Sequence, residues 1–132
     1  MLREIHHVGI AVPDLETARE LYEGRLGMTV EGPFEVPEQG VRVLVARAGE
    51  DRIELLAPLN GGGPVARFLE KRGPGVHHIA YRVEEIETAH AALVARGLEP
   101  IDPEPRRGLH GWRVAFFHPR SALGVLIELV EE

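Results

Sequence analysis

The sequence predicts an α+β fold: two tandem β-α-β-β-β modules that form a curved, half-open mixed-sheet barrel around a metal site. Three observations carry that expectation. Residues 6–18, HHVGIAVPDLETA, return 71 positions later as HHIAYRVEEIETA at 77–89. Arg42-Val43 falls on Arg113-Val114 at the same offset, and Ile53-Glu54-Leu55 falls on Ile127-Glu128-Leu129 after a three-residue insertion. Within each copy, period-2 apolar stretches surround one stretch of helical period. A unit of this kind cannot close a sheet alone, so two copies related by a pseudo-two-fold should complete one. The 132 residues are then a single domain, 1–132, made of modules at about 4–59 and 76–131 with a linker at 60–75.

The elements follow in order. Ile5–Val12 alternates as a strand until Pro13-Asp14 breaks it, and Asp14 can cap a helix running to about Gly24. Gly27 and Gly32-Pro33 are turn signals. Val41–Arg47 and Arg52–Ala57 read as strands joined by the turn Ala48–Asp51. Asn60-Gly61-Gly62-Gly63-Pro64 is loop chemistry, followed by an amphipathic stretch at Val65–Arg72 and a second breaker at Gly73-Pro74-Gly75. The second copy gives a strand at His77–Val83, a helix at Glu84–Arg96 and a short strand at Leu98–Ile101. Pro103, Pro105 and Gly108 mark a loop, and Trp112–His118 and Val125–Val130 are the last strands.

Composition narrows the function. A net charge of −6 argues against nucleic acid, which is usually met by a basic stripe. No apolar run approaches the length of a membrane span, and MLREIHH does not read as a secretory leader, so a cytoplasmic protein is expected. With no cysteine, disulfides, thiolate zinc sites and cysteine nucleophiles are excluded. Fourteen Arg against one Lys is a skew that carries no functional reading.

Strand alternation sorts the histidines. In the first strand His7 shares a face with Gly9 and Ala11, while His6 shares the other with Val8, Ile10 and Val12. In the second copy His78 shares its face with Ala80 and Arg82, opposite Ile79, Tyr81 and Val83. The bulky face suits a covering helix, so His7 and His78 are expected to look into the hollow, with His6 and His77 turned away. Glu54 and Glu128 each lie in an apolar strand, where an ionised carboxylate costs several kcal/mol unless a cation or partner compensates it. Two histidines and two glutamates at matched points of a repeat suit one divalent ion, with Zn, Co, Ni, Mn and Fe all compatible. Glu38, between Pro37 and Gly40, could overhang the hollow, although a loop glutamate is usually solvated. His90, His110 and His118 read as non-catalytic, and Pro119–Gly124 reads as an ordinary turn.

The chain resembles the vicinal oxygen chelate superfamily, and within it the methylmalonyl-CoA epimerase family over essentially its whole length. The carrying motifs are HHVGIAVPDLE at 6–16, VPEQGVRV at 36–43, IELLAPL at 53–59, FLEKRGPGVHHIAYRV at 68–83 and HPRSALGVLIELVE at 118–131. The first marks only the superfamily; the PEQGV loop and the last two motifs are more specific. The resemblance implies metal ligation by His7, Glu54, His78 and Glu128, and an acid/base pair of Glu38 and Glu128. It implies one divalent ion per chain, cobalt first, with Mn, Ni, Zn or Mg as alternatives. It further implies interconversion of 2R and 2S methylmalonyl-CoA and a homodimer. Two positions depart from the pattern: Glu54, where some members carry Gln, and Arg120, where Lys is usual. The competing expectations are a glyoxalase-like isomerase, an iron extradiol dioxygenase, or a metal-free ligand-binding module. A fourth protein ligand counts against the dioxygenase.

Overall fold

The computed structural model describes residues 1–132. The chain divides into two compact units, His7–His77 and Met1–His6 with His78–Glu132, so the boundary passes through the first strand.

In the first unit β1 (Glu4–Ala11) leads through α1 (Leu15–Arg19) and a π-helical turn, Glu20–Arg25, into β2 (Thr29–Val36). A 3₁₀ turn, Pro37–Gln39, precedes β3 (Val41–Ala48), which hairpins into β4 (Asp51–Pro58). The antiparallel meander β2-β3-β4 brings β4 back beside β1, giving the order β2-β3-β4-β1 with β1 and β4 parallel. Asp14 caps α1 by accepting the Thr17 N–H at 2.8 Å, which satisfies one of the helix's orphan donors. The helix covers one sheet face: Leu15, Ala18 and Tyr22 pack with Ile10, Val12, Leu44, Ala46, Leu55 and Ala57. The linker forms α2 (Pro64–Arg72).

The second unit repeats the plan. β5 (Gly75–Arg82) is followed by α3 (Ile86–Ala95), then β6 (Arg106–Arg107), β7 (Arg113–Phe117) and β8 (Ile127–Glu131), in the order β5-β8-β7-β6. β5 and β8 are parallel. Ile86, Ala89 and Leu93 of α3 pack on Val83, Ala115, Phe117 and Leu129. The α+β class and the two β-α-β-β-β modules are therefore as the repeat predicts.

Three expectations of detail are corrected. Gly32-Pro33 is not a turn but a cis-peptide kink inside β2, where the register with β3 slips between Glu31 and Phe34. Gly32, at φ +108°, has its missing Cβ position 2.8 Å from the Val43 carbonyl oxygen, so only glycine fits the kink. Leu98–Ile101 is not a regular strand: it makes a single bridge, Pro100 to Phe117, because Pro100 lacks an N–H and Pro103 and Pro105 keep the pairing from extending beyond it. The loop assigned to that region instead contains β6.

Candidate metal centre

The register places the donors. In the first half Gly9 stands opposite Glu54 across the parallel pair, and Glu54 stands opposite Val45 on its other side. In the second half Ala80 stands opposite Glu128, which stands opposite Phe116. The matched pairs Val8↔Ile53 and Ile79↔Ile127 show that the repeat extends to the ladder itself. Since Leu55 and Ala57 go to the helix side, Glu54 projects from the opposite face, together with Gly9 and, two residues back, His7. Small residues at positions 9 and 80 leave the volume that the imidazole and carboxylate occupy.

Both pairs form within their own halves. His7 Nε2 lies 3.3 Å from Glu54 Oε1, and His78 Nε2 lies 2.9 Å from Glu128 Oε1. All four residues are buried, between 3% and 6% exposed, so solvent does not offset the charge of either carboxylate. Donors held by one ion at about 2.0–2.1 Å sit roughly 2.9–3.4 Å apart, between the octahedral and tetrahedral limits. Both observed separations fall in that range, and imidazole with carboxylate is a donor set for a divalent ion. In each half the imidazole that strand parity selects, His7 or His78, is the one paired with the buried carboxylate.

The neighbouring histidines have other occupations. His6 is hydrogen-bonded to Glu132 at 2.5 Å and meets Trp112 edge-on, and His77 meets Phe68 of α2 edge-on. His90 bonds the Asp102 carbonyl oxygen at 2.8 Å, and His118 Nδ1 accepts the Arg120 N–H at 3.2 Å. Pro119–Ser121 is a 3₁₀ turn, and Arg120 clasps Glu99 with Nε at 3.0 Å and with Nη2. That hydrogen bonding holds the Glu99 carboxyl below the usual carboxylate range, and the guanidinium grips both of its oxygens. Glu38 lies in the 3₁₀ turn between β2 and β3 and is exposed; Gly40, at φ +68°, ends the turn and sends the chain into β3.

The model of the Glyoxalase/Bleomycin resistance protein/Dioxygenase superfamily matches residues 6–116, and the chain belongs to that superfamily. Ethylmalonyl-CoA/methylmalonyl-CoA epimerase of Cereibacter sphaeroides is 44% identical over 131 residues, covering 98% of each chain. Methylmalonyl-CoA epimerase from Mycobacterium tuberculosis superposes with a TM-score of 0.92 at 39% identity, over 98% of this chain and 88% of that one. A variant of Streptomyces coelicolor methylmalonyl-CoA epimerase, in complex with 2-nitronate-propionyl-CoA, gives a TM-score of 0.95 at 36% identity, over 100% and 96%.

Proposed function

We propose that this chain interconverts the 2R and 2S forms of methylmalonyl-CoA, using one divalent ion taken up by His7 and Glu54 from one half and by His78 and Glu128 from the other. The observation that carries the reading is the doubled buried His–Glu pair at equivalent register in both halves. Epimerase relatives that match nearly the whole chain supply the reaction class.

The chemical difficulty is acidity at C2, because the substrate's own carboxylate opposes a second negative charge beside it. A divalent ion supplies Lewis acidity there, offsetting the charge that builds on the thioester oxygen and the carboxylate. The protein supplies the proton transfers. Glu38 and Glu128 act on opposite faces of C2: one carboxylate takes the α-proton, the electron pair passes into a planar enolate, and the other glutamate, protonated, returns a proton to the far face. A positioned acid/base group contributes about 10²–10⁴-fold. The nitronate ligand of the Streptomyces relative is planar at C2, the geometry an enolate would share. The apolar strands around Glu54 and Glu128 keep water from competing for C2 and strengthen each charge interaction.

Cobalt is the ion this reading puts first, by resemblance, with Mn, Ni, Zn or Mg as alternatives; imidazole donors suit Ni and Zn, and carboxylates suit Mn and Mg. A homodimer in the cytoplasm goes with this reading by resemblance alone, and no helix is long and apolar enough to cross a membrane. The deciding experiment is deuterium uptake at C2 of methylmalonyl-CoA from heavy water. Chelator-treated protein should lose the exchange, and added cobalt should restore it. Undiminished exchange after complete metal removal would sink the metal-dependent reading.

A further inference from the structure

Beside the His78–Glu128 pair lies a buried arrangement that the proton-transfer scheme does not use. Phe116 stands opposite Glu128 in the ladder and meets the His78 ring edge-on, with centroids 5.4 Å apart and planes at 81°. Its backbone is fixed from both sides. The Phe116 N–H donates to Asp102 Oδ2 at 2.8 Å, and its carbonyl accepts the Ile101 N–H at 2.9 Å. Asp102 is a carboxylate only 9% exposed. Its other oxygen lies 2.9 Å from Arg106 Nε, and the Arg106 guanidinium stands 5.8 Å from the centre of the Phe116 ring. The reason for this construction is local. Prolines at 100, 103 and 105 prevent a regular edge strand beside β7, so the Asp102 side chain supplies the acceptor that a strand carbonyl would have given Phe116.

The first half carries a different residue at this step. At the matched position stands Val45, opposite Glu54 and paired in the ordinary way with Glu31 of a full-length β2. A valine offers no ring edge, and Glu31, exposed on the edge strand, pairs with Arg47.

We propose that Phe116, clamped by Asp102, is a positioning residue that fixes the plane of the His78 imidazole toward the metal centre. The proposal rests on the divalent-ion reading above. Groups that orient a ligating histidine typically change metal affinity by about 10–100-fold when removed.

The test is cobalt affinity, measured by competition with a chromophoric chelator, together with the visible absorption of the bound ion, which reports ligand geometry. Phe116→Val, which gives the second half the residue of the first, should weaken cobalt binding by at least about tenfold and shift the absorption band. Asp102→Ala should do the same, whereas Asp102→Asn, which keeps an oxygen for the Phe116 N–H, should restore affinity and spectrum. Phe117→Leu is the control: that ring is fully buried on the opposite, helix-covered face, so its loss should lower thermal stability and leave cobalt affinity unchanged. Wild-type affinity and spectrum in both Phe116→Val and Asp102→Ala would overturn the clamp. So would an equal loss of affinity in Phe117→Leu. If the unaltered protein takes up no cobalt or other divalent ion, the underlying metal reading fails instead.

Discussion

In the first half, β2 runs eight residues against β3, absorbing the Gly32-Pro33 kink as a slip in register. In the second half the corresponding stretch is reduced to a bridge at Pro100 and a two-residue strand, Arg106–Arg107. The helix faces differ as well. Arg113 of β7 pairs with Glu87 of α3, while the repeat-equivalent residues Arg42 and Glu16 line a cleft of about 580 Å³, and Arg42 lies 3.9 Å from Glu35 instead. Against this divergence the donor positions hold: both carboxylates occupy the same ladder step, beside a small residue and a histidine Nε2. The sheet edge, which makes few obligatory contacts, can vary. The central strands cannot slip by one residue without turning a buried carboxylate into the helix-side core.

If both halves serve one ion, the comparison breaks down most visibly when either imidazole is removed. His7→Ala and His78→Ala should each abolish tight divalent binding, and epimerisation should fall with it. Metal content by elemental analysis of the purified variants is the measurement. Full retention in the His7→Ala, His78→Ala double variant would rule out a metal centre at these residues.

The next effect is catalytic and separates the carboxylates by role. Glu38→Gln should keep its metal and lose at least about 10²-fold in turnover, the usual worth of a positioned acid/base group. It should still exchange the α-proton of one epimer with deuterated solvent while failing to invert it. Exchange kept or lost equally for both epimers would leave a single-base route. Glu128→Gln is less clean, because that residue is also assigned to the ion.

Much of this was legible in the sequence because repetition and alternation are properties of the chain alone. The 6–18 and 77–89 match predicted two equivalent modules, and period-2 parity pointed to the histidines, His7 and His78, that lie beside buried glutamates. The failures lie where long-range pairing overrides local signals. Gly32-Pro33 looks like a turn, yet β3 holds it in a ladder. Leu98–Ile101 has strand-like residues, yet Pro100 has no N–H to donate and pairing stops at a single bridge. Asp102 and Phe116 were not recognised, since nothing in a Pro-rich loop says that its carboxylate turns inward to a backbone N–H fourteen residues on. The one available hint is that Asp102 lies between prolines, where backbone partners are scarce and side chains must substitute.

The smallest expected effect concerns the helix starts, where the repeat offers a matched pair. Asp14 and Glu85 are equivalent, and so are Thr17 and Thr88. Asp14 reaches the Thr17 N–H at 2.8 Å and the Thr17 hydroxyl at 2.9 Å. Glu85, one methylene longer, makes no capping bond to its helix backbone, and the Ile86 N–H goes to Glu131 Oε1 at 2.8 Å instead. Hydrogen bonds from Thr17, the backbone bond first, hold the Asp14 carboxyl below the usual aspartate range. A lowered carboxyl stabilises the folded state above its unfolded value and loses that contribution as pH falls through its folded value. In metal-free protein Asp14→Ala should therefore lower the thermal midpoint by a few degrees at neutral pH. The difference from wild type should shrink as the pH drops below about 4, where aspartate ordinarily titrates. Glu85→Ala should change little at either pH. Equal losses in the two variants, or a gap for Asp14→Ala that does not close in acid, would show that the cap does not distinguish the halves.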